Sequence, residues 1–100
     1  MSKLNITAEV IDGIETRTVT LSGRDAWALQ ELVTAGTRGC TPIDHPGPRW
    51  SGYVHKLRHK YGIHVETVDE RHGGQFAGRH ARYILRSNVR IIATREVRAA

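Results

Sequence analysis

The chain opens on strict alternation. In residues 4–11, LNITAEVI, the side chains of Leu4, Ile6, Ala8 and Val10 fall on one side of an extended backbone and those of Asn5, Thr7 and Glu9 on the other. That is the period of a half-buried strand. Asp12-Gly13 follows, a pair that tolerates positive φ and marks a tight hairpin turn. Residues 14–21, IETRTVTL, rich in Thr and β-branched side chains, supply the returning strand. The period then changes. Ala26, Leu29, Leu32 and Val33 recur at helical spacing, with Ser22 as N-cap, Asp25 as a short-armed capping-box partner and Gly36 as the stop. Thr41-Pro42 predicts a second, very short helix, capped by Thr41 with Pro42 in its first turn. His45-Pro46-Gly47-Pro48 must break it.

A third helix is predicted over residues 48–62, PRWSGYVHKLRHKYG. At about 100° per residue, Trp50, Tyr53, Val54, Leu57 and Tyr61 share one face. Gly52, His55 and His59 centre the opposite face, with Arg49 and Lys56 on one shoulder and Ser51 and Arg58 on the other. Beyond it, IHVETV (63–68) and ARYILRS (81–87) alternate as strands, separated by the polar, Gly-rich segment ERHGGQFAGRH (70–80). They predict a hairpin with a protruding basic tip. The tail from Asn88 carries the apolar Val89, Ile91 and Ile92 and then a polar end expected to fray. The expected division is an N-terminal β-hairpin (1–21), a three-helix core (22–62), a second hairpin (63–87) and a tail (88–100), all in one α+β domain.

Length and charge refine this picture. One hundred residues suffice for one domain with a modest core. No apolar run approaches the roughly 20 residues that span a bilayer, and the N-terminus lacks the apolar segment of a signal peptide. The lone Cys40 cannot form an internal disulfide, which points to the cytoplasm. The net charge is +5 and the pI about 10.0. Residues 1–37 carry three Lys/Arg against five Asp/Glu, a net of −2, and residues 38–100 carry twelve against five, a net of +7. The positive charge is concentrated around the third helix and the second hairpin, which suggests a polyanionic partner.

Catalytic patterns are missing. The chain holds no G-x-S-x-G, no phosphate-binding loop and no dinucleotide fingerprint. Its carboxylates are scattered, with Asp69-Glu70 the one close pair, and Cys40 is expected to be a small buried thiol. No enzymatic activity and no cofactor are expected. His55 and His59 have the i, i+4 spacing of two metal ligands, and Cys40, His45, His72 and His80 could add others. With no second ligand pair at a metal-binding spacing, no metal is expected, and exposed histidines on a basic helix suit a polyanion whose affinity rises as pH falls.

The order helix, short helix, turn, basic helix, strand, loop, strand is that of a winged helix-turn-helix. The run T-P-I-D-H-P-G-P-R-W-S-G-Y-V-H-K-L-R, then Y-G-I-H-V-E-T, then H-G-G-Q-F-A-G-R-H-A-R-Y resembles the small winged helix domains of bacterial and prophage proteins, over residues 22–87. The resemblance implies DNA binding, with the third helix in the major groove and the second hairpin, the wing, along the flanking backbone or minor groove. The N-terminal hairpin lies outside it.

Helical phase then nominates the contacts. Arg49 would pair with guanine or clamp a phosphate, Ser51 would reach a phosphate or base edge, and Lys56 a phosphate. Gly52 would permit close approach to the groove, or else tight packing against the second helix. His55 and His59 lie one turn deeper. Arg71, Gln75 and Arg79 are the wing candidates, with Gly73, Gly74 and Gly78 allowing a tight tip, and Phe76 would tuck onto the sheet or touch a partner. Replacing Arg49 or Lys56 by alanine is expected to weaken DNA binding, and replacing Arg17, on the first hairpin, is not. The expected function is sequence-selective binding of double-stranded DNA, for transcriptional regulation in a bacterium or its prophage. The alternative is a protein-docking module without enzymatic activity. The N-terminal hairpin could make a homodimer by edge pairing or contact another protein.

Overall fold

The computed structural model describes residues 2–47, 49–73 and 78–98. Its elements are β1 (Ser2–Asp12), β2 (Glu15–Ser22), α1 (Gly23–Ala35), α2 (Trp50–His59), β3 (Val65–His72), β4 (Gly78–Leu85) and β5 (Asn88–Arg98), with a 3-10 turn, Gly36–Arg38, after α1. The α+β class is as expected; three helices are not, since only two α-helices form among the described residues.

β1 is the central strand of an antiparallel sheet ordered β2-β1-β5. Its alternation works as predicted: Ile6, Ala8 and Val10 are fully buried. Val19 and Leu21 of β2 lie opposite Ala8 and Ile6 and so face the same side. The tail, whose polar end was expected to fray, is instead β5, paired with β1 from Asn88 to Arg98. Its apolar residues are not consecutively phased because Ile92 is the extra residue of a bulge between the Thr7/Ala93 and Ala8/Ile91 pairs. The bulge resets the parity and keeps Val89 and Ile91 on the inner side. The β1-β2 turn sits one residue later than Asp12-Gly13. Asp12 pairs with Glu15, and Gly13 (φ 62) and Ile14 form the two-residue loop, with glycine at the first central position.

α1 buries Ala26, Ala28, Leu29 and Leu32, with Val33 half-buried. Ser22 takes an extended backbone at the N-cap, yet its hydroxyl makes no cap bond. Asp25 is buried and turned towards α2, so the expected capping box does not form. The short second helix is reduced to one turn. Thr41 Oγ1 accepts from the Asp44 N–H (3.0 Å) and the Thr41 carbonyl from the His45 N–H (2.8 Å). Pro46 has no N–H to add a further bond, so nothing propagates.

α2 begins at Trp50, with Arg49 (φ −146) as the residue before it, and ends at His59, shorter at both ends than expected. Trp50, Tyr53, Val54 and Leu57 are buried, as the helical phase requires. Trp50 is the centre of an aromatic cluster. It lies 5.4 Å from Trp27 of α1, 6.2 Å from Tyr53, and stacks on Tyr83 of β4 at 5.7 Å between ring centroids. Its indole N–H donates to the His45 carbonyl at 2.6 Å, tying the turn to the helix. Each such ring pair contributes about 0.5–1.5 kcal/mol beyond area burial. Cys40 and Tyr83 exchange backbone hydrogen bonds at 2.8 Å, which sews the segment before the turn onto the β3-β4 hairpin. No helix among the described residues is long and apolar enough to cross a membrane.

Candidate nucleic-acid interface

Burying one face of α2 fixes what the other face can do. Arg49, Ser51, His55, Lys56 and His59 are all exposed, and Gly52 is half-exposed among them. Six of the nominated residues therefore share one surface. Arg49 forms no ion pair among the described residues, and its backbone carbonyl accepts from the Tyr53 N–H at 3.0 Å, anchoring the first turn beneath it. A Cβ added to Gly52 would meet only Arg49 Cβ, at 3.8 Å, an ordinary contact. Packing against another element therefore does not require glycine there, which removes one of the two reasons considered for it.

Lys56 is 59% exposed, and its Nζ stands 3.9 Å from the carboxylate of Asp25. The same carboxylate accepts from the Tyr61 hydroxyl at 3.4 Å. Asp25 thus holds Lys56 against α1 without neutralising it at contact distance. The imidazoles of His55 and His59 lie 4.4 Å apart between centroids. They are neighbours, but no group of three or more His, Cys, Asp or Glu side chains able to hold a metal occurs among the described residues.

Arg58 belongs to the scaffold. Its guanidinium donates to the Val65 carbonyl (3.0 and 2.6 Å) and to Thr67 Oγ1 (2.8 Å), locking α2 onto β3. Arg17, expected to play no part in DNA binding, is structural too. It lies on the inner side of β2, in register with Val10, and donates to the carbonyls of Tyr61 (2.6 Å) and Gly62 (2.7 Å) just beyond the end of α2. A cation at a helix C-terminus is favoured by the helix dipole as well as by the hydrogen bonds. Sequence reasoning missed Arg17 and Asp25 as the residues that position α2. The signal for Arg17 was its parity, shared with Val19 and Leu21.

The hairpin is longer than predicted, because β3 and β4 run into the segment assigned to its loop. Cross-strand ion pairs explain the extension. Arg82 grips Glu70 with Nε to Oε2 and Nη2 to Oε1, both 2.8 Å, and His80 Nε2 lies 2.7 Å from Glu70 Oε1. The hydrogen bonds from Arg82, then His80, lower the Glu70 carboxyl from 4.5 to about 2. Arg82 also donates to the Arg38 carbonyl at 2.9 Å, joining the hairpin to the turn after α1. Nearer the tip, Arg79 pairs with Asp69 at 2.6 Å, with both side chains mostly exposed. Arg71 stands directly across from Arg79 in the ladder, like charge against like. Asp69, on the same face, already compensates Arg79, whereas Arg71 forms no ion pair among the described residues. Gln75, Gly74 and Phe76 lie outside the described residues, as does Pro48 before α2.

Cys40 is fully buried, and burial, reinforced by the charge of Glu31, pushes its thiol up to about 11. It is a protonated core group, unsuited to nucleophilic chemistry. The surface as a whole offers cations, imidazoles and a hydroxyl on one helix, and two opposed arginines on a hairpin directly following it.

A winged helix domain family matches residues 18–95, from within β2 to within β5, and leaves β1 outside. No curated protein and no solved structure matches the chain.

Proposed function

The chain belongs to the winged helix domain family, and from that premise we propose that it binds double-stranded DNA sequence-selectively, as a transcriptional regulator of a bacterium or prophage acting in the cytoplasm. Winged helix domains in general bind DNA. The observation that carries the finer reading is the outward face of α2, where Arg49, Ser51, His55, Lys56 and His59 stand exposed around Gly52. No contact within the fold accounts for that glycine. In the proposed complex α2 lies in the major groove, Arg49 and Ser51 meet base edges or phosphates near the helix start, and Lys56 reaches a phosphate. Arg71 and Arg79, at the end of the hairpin, meet a flanking phosphate, which Arg71 is freest to pair with because Arg79 is held by Asp69. Gln75, outside the described residues, is proposed as a further contact. The role is one of binding, with no chemical step and no cofactor.

Selection of bound duplexes from a random pool, at stated salt, tests this reading. Enrichment of one motif supports base readout by α2. Retention of duplexes without any motif would mean the contacts are to backbone alone. A second reading, a protein-docking module, draws support from the unpaired edge of β2, and a chain that retains no duplex at low salt would favour it.

A further inference from the structure

The β2-β1-β5 sheet has two edges, and they are built differently. β5 is bulged at Ile92 and carries Arg90, Arg95 and Glu96, devices that discourage pairing with another strand. β2 has no bulge and fewer charges. It is eight residues long, ETRTVTLS, free of proline, and almost wholly exposed. Its two charges are Glu15 and Arg17, and Arg17 is already engaged at the end of α2.

The pairing with β1 determines which backbone groups the edge offers. Asp12 and Glu15 close a two-residue hairpin and so exchange both hydrogen bonds. Arg17, Val19 and Leu21 then face β1 in the same way. The N–H and C=O groups of Thr16, Thr18 and Thr20 point outward, and no backbone bond from outside the ladder reaches them among the described residues.

We propose that this edge pairs antiparallel with β2 of a second copy of the chain, about a two-fold axis at Thr18. That register sets Thr18 against Thr18 and Thr16 against Thr20 on the outward side of the sheet. Threonine against threonine is a favourable cross-strand pair. On the inner side Arg17 meets Val19 and Glu15 meets Leu21, so no like charges are opposed. Every outward backbone group of the three threonines gains a partner, and two three-stranded sheets become one of six strands. The axis would run beside Arg17, whose guanidinium touches the carbonyls just beyond α2. The two α2 helices would therefore lie either side of the dyad, the arrangement that reads a palindromic duplex.

The pairing does not depend on DNA, so it is measured without it. Sedimentation of the full chain at micromolar concentration should give a dimer. Thr18→Lys, which sets two cations face to face on the axis, should weaken dimerisation by about tenfold or more, with an unchanged circular dichroism spectrum. Thr18→Pro, which removes an outward donor, should act likewise. Across the axis the Thr18 Cα atoms would stand about 5.5 Å apart, within disulfide reach. Mild oxidation should then give a covalent dimer of Thr18→Cys and not of Arg95→Cys on the other edge. A wild-type monomer, a dimer that survives Thr18→Lys, or cross-linking through Arg95→Cys instead would overturn the proposal. None of these outcomes bears on whether the monomer binds DNA.

Discussion

Replacing Gly52 by alanine separates what the fold needs from what a partner needs. Glycine inside a helix costs roughly 0.5–1 kcal/mol relative to alanine, and near the start of α2 the lower end applies. The new Cβ would touch only Arg49 Cβ, at 3.8 Å, so no strain offsets that gain. Folding should therefore improve by about 0.5 kcal/mol, which raises Tm by roughly 2–4 °C in a domain of this size. Binding should move the other way. Gly52 lies at the centre of the face flanked by Arg49, Ser51, His55 and Lys56, and a methyl there holds the helix off the groove floor. Loss of one bidentate base contact costs about 1–3 kcal/mol, or roughly 5- to 150-fold in Kd. The assay is a thermal melt together with fluorescence anisotropy on a selected duplex. A variant that is more stable and binds as tightly as wild type would refute the reasoning, because Gly52 would then serve neither fold nor partner.

Other perturbations probe the scaffold under that face. Arg17→Ala removes two hydrogen bonds at the end of α2, partly exposed, and should cost about 1 kcal/mol, seen as a lower Tm; an unchanged melt would mean the contact is idle. Gly39→Ala should be far more damaging, since its φ is +74 and an added Cβ would come within 2.5 Å of the Tyr83 carbonyl oxygen, which bonds Cys40. A loss of about 2–4 kcal/mol is expected, and a Tm within a degree or two of wild type would contradict the clash. Glu70 is held charged by Arg82 and His80, so the hairpin contacts it makes are present above its ordinary value of 4.5 and are lost only as pH falls towards about 2. NMR of the β3-β4 amides should follow that low midpoint in wild type and not in Glu70→Gln; a midpoint near 4.5 would show the carboxylate to be unpaired.

Much of this arrangement is readable from the chain. Period-two alternation placed β1 and β2, and helical phase separated Trp50, Tyr53, Val54 and Leu57 from Arg49, Ser51, His55, Lys56 and His59 without error, because burial follows phase. Where reading failed, long-range partners decided the outcome. Residues 88–98 form a strand because β1, at the other end of the chain, supplies the complementary pattern, and the Ile92 bulge hid their alternation. Thr41-Pro42 carries sound helix-start chemistry, but Pro46 arrives before a second turn can close. Glu70, Arg71, His80 and Arg79 looked like loop because they are polar, yet cross-strand pairing holds all four in the ladder. The structural role of Arg17 was not legible, because only the tertiary fold brings the end of α2 to it.

The central claim, that the outward face of α2 engages duplex DNA, is tested most directly by binding curves over a salt series for wild type, Arg49→Ala, Lys56→Ala and Arg95→Ala. Arg95 lies on the outward face of the other sheet and serves as the charge-matched control. The account predicts that the first two variants weaken binding and that Lys56→Ala flattens the slope of log K against log salt by about 0.9, one phosphate contact. It predicts that Arg95→Ala tracks wild type. Three variant curves that coincide would contradict it.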